Sequence, residues 1–221
     1  MRAGTILATL LLVLGNAALA AGSVPATSGH GSIYFGDYEP KEPRSLNDLP
    51  VAVRELLRSH LKSRLGDLYY RRLKFVGGQV IDRAELLRLE PDSKDYEWEV
   101  PAYVIDFDFR IPELGLASYP AQIELRADGS VIKEIDLPAF GSDLGKQAFF
   151  PFTKALEVAL KRGFDRDGIK ATLKFSERFN SLVWDFREVS GDDGLVIKSE
   201  TLLVSAHTGE VLDTGVSEAI R

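Results

Sequence analysis

One pattern occurs twice in this chain, about eighty residues apart, and constrains the fold more than any other feature. Residues 123–135 read IELRADGSVIKEI, and residues 203–215 read LVSAHTGEVLDTG. Each stretch places a glycine, Gly129 or Gly209, between two runs that suit a β-strand. A glycine at such a point is typical of a tight hairpin, because it adopts positive φ without strain. We therefore interpret both glycines as structural turn residues.

The order of predicted elements also repeats. An amphipathic helix is predicted to follow a cap at Asn47 or Asp48 and to end at Gly66, and a second begins near Phe149. Each is followed by strand, strand, turn, strand, tight turn and strand. The tripeptide LKF occurs at 73–75 and again at 173–175. The predicted fold is α+β, with two similar units, each with one helix packed on an antiparallel sheet of three to four strands.

The first copy is longer than the second. The helices and LKF match at an offset of 100, whereas the hairpins match at an offset of 80. About twenty extra residues therefore lie near 80–102, in a first unit of 45–140 that precedes a second unit of 141–221. We expect this insertion to form a longer strand pair or an extra element on one face. Within it, RAELLRLEP fits a helix or a strand, and the alternation from Tyr96 onward predicts a strand.

The N-terminus predicts export. Arg2, an apolar run and Ala18-Leu19-Ala20 match a secretory signal peptide covering residues 1–20. The run is shorter than the roughly 20 residues of a membrane-spanning helix. We expect a periplasmic or secreted protein of the bacterial cell envelope, with no membrane span after cleavage. Residues 21–44 are a flexible leader by composition, whose aromatic residues could dock on the folded body as an added strand.

Composition limits the chemistry. The net charge of −6 argues against a nucleic-acid partner. The absence of cysteine excludes disulfides, thiolate ligands and a cysteine nucleophile. His30, His60 and His207 lack metal-ligand spacing, and we expect His207 to cap the hairpin or face solvent. No nucleophile or phosphate-binding motif is present. We expect no catalytic residue, metal or cofactor. The sequence therefore favours a protein that is not an enzyme, without deciding between the two.

Two acidic clusters remain as candidates. Asp106 and Asp108 share one face of a predicted strand, which fits the solvent face of a sheet or, alternatively, acid–base chemistry. The insertion carries candidate partner-binding residues, because aromatic side chains are common interface anchors. In the alternative interpretation, Trp98 packs inward while the acidic residues face water. The candidate set is Tyr96, Glu97, Trp98 and Glu99.

The closing stretch, SLVWDFREV followed by a turn and TLLVSAHTGEVLD, resembles the PepSY and PepSY-like domains of exported bacterial proteins. The resemblance covers about 149–214. In that family an acidic and a small residue usually precede the hairpin, whereas this chain has Ala206 and His207. The first copy keeps only Asp128, Gly129 and Val131 of the pattern. The matching residues are Trp184, Thr208, Gly209, Glu210 and Val211.

This resemblance implies a cystatin-like shape, with a helix on a curved sheet, for each unit. It also implies a non-catalytic module, and no catalytic residue is carried over. The expected function is an exported binding module of the peptidase-inhibitory or protein-interaction kind, with a protein or peptide partner. The alternatives are a small-ligand carrier or enzyme with a site between the two units, and a structural element of an envelope assembly.

Overall fold

The computed structural model describes residues 26–27, 33, 36–96, 98–114, 116–192 and 194–220. The predicted signal peptide and Glu97 lie outside these residues. The short strand β1, Ala26–Thr27, belongs to the leader and precedes the first unit.

The first unit is a helix on a four-stranded antiparallel sheet. Helix α1, Val51–Tyr70, buries one side chain nearly every turn, which gives it a continuous apolar face. It was expected to end at Gly66, but it bends there and continues. The sheet has the order β2-β3-β4-β5. Its strands are β2 (Leu73–Val80), β3 (Tyr103–Ile111), β4 (Leu116–Leu125) and β5 (Val131–Lys133).

The insertion forms between β2 and β3. It contains helix α2, Arg83–Leu89, and a 3₁₀ turn, Pro91–Asp95. The prediction of a strand starting near Tyr96 is wrong, because β3 begins only at Tyr103. Pro101 explains this boundary, since proline has no N–H to donate to a sheet ladder.

The second unit repeats the order of the first without the insertion. Helix α3, Phe152–Lys161, packs its Phe152 ring 5.3 Å from that of Trp184. The four antiparallel strands are β6 (Lys170–Ser176), β7 (Ser181–Asp192), β8 (Val196–Ser205) and β9 (Val211–Ile220), and β1 adds to β6 in parallel. The described chain is therefore mixed α+β with two sheet units and three α-helices, of which α2 lies in the insertion.

The two units share one hydrophobic core. The ring of Tyr69, at the end of α1, stacks on Phe140 with centroids 4.4 Å apart. Phe149, from the segment before α3, lies edge-on to the ring of Tyr69 at 6.2 Å. The Tyr69 hydroxyl donates to the carbonyl of Gln147 at 2.9 Å. The interface is therefore filled by aromatic side chains and is not a cleft at these residues.

Part of the leader packs on the first unit. Tyr38 is buried beside Leu86 and Val104 in a smaller apolar cluster. Its hydroxyl accepts a hydrogen bond from the backbone N–H of Asp82 at 2.7 Å. The backbones of Lys41 and Val80 exchange hydrogen bonds of 3.0 and 2.7 Å, which cover one end of β2. Across the described ranges, no helix combines the length and apolar character needed to cross a membrane.

Candidate partner-binding surface on the insertion

The insertion is held firmly at its start. Asp82 caps α2, because its Oδ1 accepts hydrogen bonds from the backbone N–H groups of Ala84 and Glu85 at 3.0 and 3.2 Å. Leu86 is fully buried in the cluster that contains Tyr38. These contacts fix α2 against the body, so the residues that follow project from a rigid support.

Tyr96 and Trp98 form an exposed aromatic pair. Their rings stack at a centroid distance of 5.4 Å and an interplanar angle of 13°. The two side chains are 38% and 45% exposed, whereas Val100 is buried. Trp98 therefore does not pack inward, and strand alternation does not order this segment. The pair therefore presents a stacked, partly exposed aromatic surface.

Glu99 fixes the other end of the segment. Its two carboxylate oxygens accept hydrogen bonds from Nε and Nη2 of Arg126, both at 2.7 Å, in a bidentate arrangement. This hydrogen bonding to Arg126 lowers the pKa of Glu99 and raises that of Arg126. Because Arg126 opens the hairpin turn of the first unit, the ion pair ties the insertion to that turn. Glu97 lies outside the described residues.

The insertion is strongly acidic. Residues 81–102 contain seven acidic and three basic residues, a net charge of −4 (3 minus 7), in a chain whose net charge is −6. Several of these charges serve the structure, as Asp82 and Glu99 do. The insertion that carries the aromatic pair nevertheless has a net negative charge, which disfavours an acidic partner and attracts a basic one.

The two turn glycines occupy matching places. Gly129 and Gly209 have φ of 87° and 77°. A Cβ on Gly129 would lie 3.2 Å from Leu56 Cδ1, and one on Gly209 would lie 2.6 Å from the Phe150 ring. The first hairpin turn thus packs against α1 and the second against Phe150, just before α3. Glycine is explained at both turns by backbone conformation and by close approach.

The other candidates have structural partners. Asp106 accepts a hydrogen bond from Gln122 Nε2 at 2.6 Å, and Asp108 accepts one from Ser118 Oγ at 2.5 Å. His207, expected to cap the turn or face solvent, is only 6% exposed. Its ring makes hydrogen bonds to Leu182 and Ala148 of the second unit and lies 6.0 Å from the ring of Phe140 of the first. The described ranges hold no group of three or more His, Asp or Glu residues able to bind a metal ion.

Sequence reasoning missed a charged cluster on the second sheet. Asp185 is 4% exposed, and its Oδ2 accepts from Lys174 Nζ at 2.7 Å and from Arg187 Nη2 at 2.8 Å. The hydrogen bond to Asp185 raises the pKa of Arg187. Lys174, Asp185 and Arg187 lie on adjacent strands, and only the pairing of β6 with β7 brings Lys174 to the other two. The two cations together carry one more charge than the carboxylate between them, and the ion pairs join two strands of the sheet.

No protein-family model matches the chain, and no curated protein matches it. A solved structure from Clostridium difficile, described as a "putative lipoprotein", is similar at 14% identity over 62% of this chain and 93% of that one. The TM-score of this similarity is 0.25.

Proposed function

We propose that this chain is an exported, non-catalytic binding module that docks a basic segment of a protein or peptide on its insertion. One observation carries the proposal. The exposed Tyr96–Trp98 pair stands in an acidic insertion that the first unit has and the second lacks. Features common to both units build the fold, so the feature unique to one is where a specific function is expected.

The physical argument rests on anchoring and on preorganisation. Aromatic side chains supply large contact areas and dominate many interfaces. The pair is already stacked and is held on one side by α2 and on the other by the Glu99–Arg126 ion pair. Little conformational entropy is therefore lost when a partner binds. The surrounding negative charge raises the association rate of a basic segment.

The family assignment belongs to the same proposal. We assign both units, 45–140 and 141–221, to tandem PepSY-like domains of cystatin-like shape, with α1 and α3 as the equivalent helices. The repeated order of helix and four antiparallel strands supports this. So does Trp184, which lies under Phe152 of α3. The signal sequence at 1–20 supports export to the bacterial cell envelope.

Two alternatives receive less support. A ligand or enzyme site between the units would need a cleft, and Tyr69, Phe140 and Phe149 fill that space. A structural role in an assembly would need a continuous apolar patch. Val189 and Val216 are exposed on the second sheet, but the strand register places them on opposite faces.

The proposal is tested by binding of a fluorescently labelled Lys/Arg-rich peptide, followed by anisotropy. A peptide of equal length with Glu in place of Lys and Arg is the charge control. We expect saturable binding of the basic peptide only. Replacing both aromatic residues, Y96A/W98A, should weaken it by at least about tenfold, because anchor residues contribute that much.

Val189→Ala is the matched control, since it removes another exposed apolar side chain, 57% exposed, from the second unit. It should leave the affinity unchanged. Equal binding of the acidic peptide, or an affinity that Y96A/W98A does not alter, would contradict the proposal.

A further inference from the structure

The first sheet has a basic end opposite its acidic insertion. Strands β2 and β3 pair Val80 with Tyr103 at the insertion and Leu73 with Phe109 at the far end. Seven residues separate these ends, about 23 Å at a rise of roughly 3.3 Å per residue. The far end, which we call the basic end, gathers six cationic residues: Arg54, Arg58, Arg71, Arg72, Lys74 and Arg110.

Only some of these cations are neutralised. Arg72 makes a bidentate ion pair with Glu113, with both distances 2.7 Å. Arg58 lies 3.2 Å from Glu55, and Arg110 lies 3.9 Å from Asp108. Arg71 and Lys74 have no carboxylate within ion-pair distance among the described residues. In an acidic protein this excess of positive charge at one end favours an anionic ligand.

A small cavity opens at this end. It lies between α1 and the strands β2 and β3 and has a volume of about 190 Å³. Arg54, Arg58 and Arg71 line it beside apolar side chains. The apolar lining consists of Leu46, Leu57, Leu61, Leu73, Phe75 and Phe107. The site therefore combines an apolar lining with cationic groups.

Arg54, which lines this cavity, is only partly paired with protein acceptors. Its Nη1 donates to Asn47 Oδ1 at 3.0 Å. Its Nε is buried without a hydrogen-bond partner, and the nearest carboxylate oxygen, on Glu55, is 3.7 Å away. A buried donor without a partner costs free energy, and no protein acceptor offsets this part of the guanidinium charge beside the cavity.

We propose that this cavity binds a free medium-chain carboxylate of about eight carbons, with the alkyl chain inside and the carboxylate held by Arg54 and Arg71. The volume lies below the range of about 300–1,000 Å³ that is typical for drug-sized ligands, so one unbranched chain fits better than a ring system or a lipid. Arginine suits the headgroup, because its planar guanidinium binds carboxylates at two points. This site is separate from the aromatic pair and does not depend on the function proposed above.

Isothermal titration with octanoate tests the proposal, with octanol and acetate as controls for the headgroup and the chain. Octanoate should bind saturably. Octanol and acetate should each bind at least about tenfold more weakly, since each lacks one of the two interactions. Arg54→Met and Arg71→Gln should each weaken octanoate binding by about tenfold.

Arg166→Gln, an exposed arginine of the second unit, is the matched control and should have no effect. Thermal unfolding of each variant checks that the fold is intact, and Arg71→Gln keeps the test valid if Arg54→Met unfolds. Equal affinities for octanoate and octanol, or for octanoate and acetate, would overturn the proposal. Octanoate binding unchanged in both arginine variants, or binding to anionic vesicles without any to octanoate, would also overturn it.

Discussion

His207 shows how neighbours from another part of the chain set the role of one residue. Its Nδ1 donates to the carbonyl of Ala148 at 3.0 Å, and its Nε2 accepts from the N–H of Leu182 at 3.3 Å. Only a neutral imidazole satisfies both contacts. Burial lowers the pKa of His207, and the hydrogen bond to Ala148 opposes this only in part. Protonation would leave the Leu182 N–H without an acceptor.

This arrangement predicts a pH-dependent stability. Because the folded-state pKa of His207 lies below its ordinary value of about 6.5, the unfolded chain binds the proton more readily. The contribution of neutral His207 to the free energy of unfolding should therefore be fully present above about pH 6.5. It should decrease as the pH falls below that value. In His207→Gln, the free energy of unfolding, measured with urea between about pH 5 and pH 8, should no longer show the decrease that protonation of His207 causes.

His60→Gln serves as the control, because His60 is partly exposed on α1 and pairs with Glu134. It should leave the contribution of His207 in place. An unchanged pH slope in His207→Gln would contradict the assigned neutral state.

At this scale, the sequence predicted what depends on adjacent residues and missed what depends on distant ones. The turn role of Gly129 and Gly209 follows from the hairpin pattern alone, since turn conformation is local. The partner of His207, Ala148, lies 59 residues earlier in the chain. No local pattern specifies that contact, so the sequence predicts only that His207 caps the hairpin or faces solvent.

Both units repeat the hairpin turn. Substituting Gly209 tests whether its turn requires glycine for backbone conformation alone or also for close packing against Phe150. Gly209→Ala should destabilise the fold through positive φ and through collision with the Phe150 ring at 2.6 Å. Gly163→Ala isolates the first effect, because Gly163 has φ of 97° but nothing within 4 Å of an added Cβ.

We expect about 1 kcal/mol for Gly163→Ala and a further ~1–3 kcal/mol for Gly209→Ala, measured by denaturant unfolding. Equal costs would show that the turn does not pack against Phe150 as described.

The insertion is the element in which sequence periodicity gave the least guidance. The sequence of its first part, RAELLRLEP, fits either a helix or a strand. The cap at Asp82 stabilises the helix, α2. Its second part alternates as a strand would, yet Pro101 separates it from β3. Periodicity describes the side chains, whereas caps and backbone donors decide which element forms.

Anchoring of the insertion predicts unequal effects for two adjacent leucines. Leu86 is fully buried, whereas Leu87 is 36% exposed. Leu86→Ala should lower the free energy of unfolding by about 2–5 kcal/mol, and Leu87→Ala by much less. Hydrogen exchange should show lost protection of α2 and of the segment around Tyr38 in Leu86→Ala alone. Equal effects on exchange would mean that α2 is not fixed through Leu86.

In the whole molecule, one shared core joins two units whose differences are concentrated in the first. The acidic insertion and the basic end lie at opposite ends of the first sheet, and the aromatic cluster around Phe140 fills the interface. Sequence alone predicted the two sheets and the extra residues of the first copy. It did not predict the basic end, because its six cations are spread from residue 54 to residue 110. The repeated helix-and-sheet unit accounts for the fold, and the two proposed binding surfaces both lie on the first unit.

The central claim is that the exposed Trp98 docks a basic partner, and tryptophan fluorescence tests it most directly. The chain has two tryptophans, of which Trp98 is 45% exposed and Trp184 is fully buried. Acrylamide should quench Trp98 strongly and Trp184 weakly in the free protein. Adding the Lys/Arg-rich peptide should shift the emission to the blue and protect the quenchable fraction, and Trp98→Phe should abolish both changes. Saturable peptide binding that leaves the quenching of Trp98 unaltered would contradict the account.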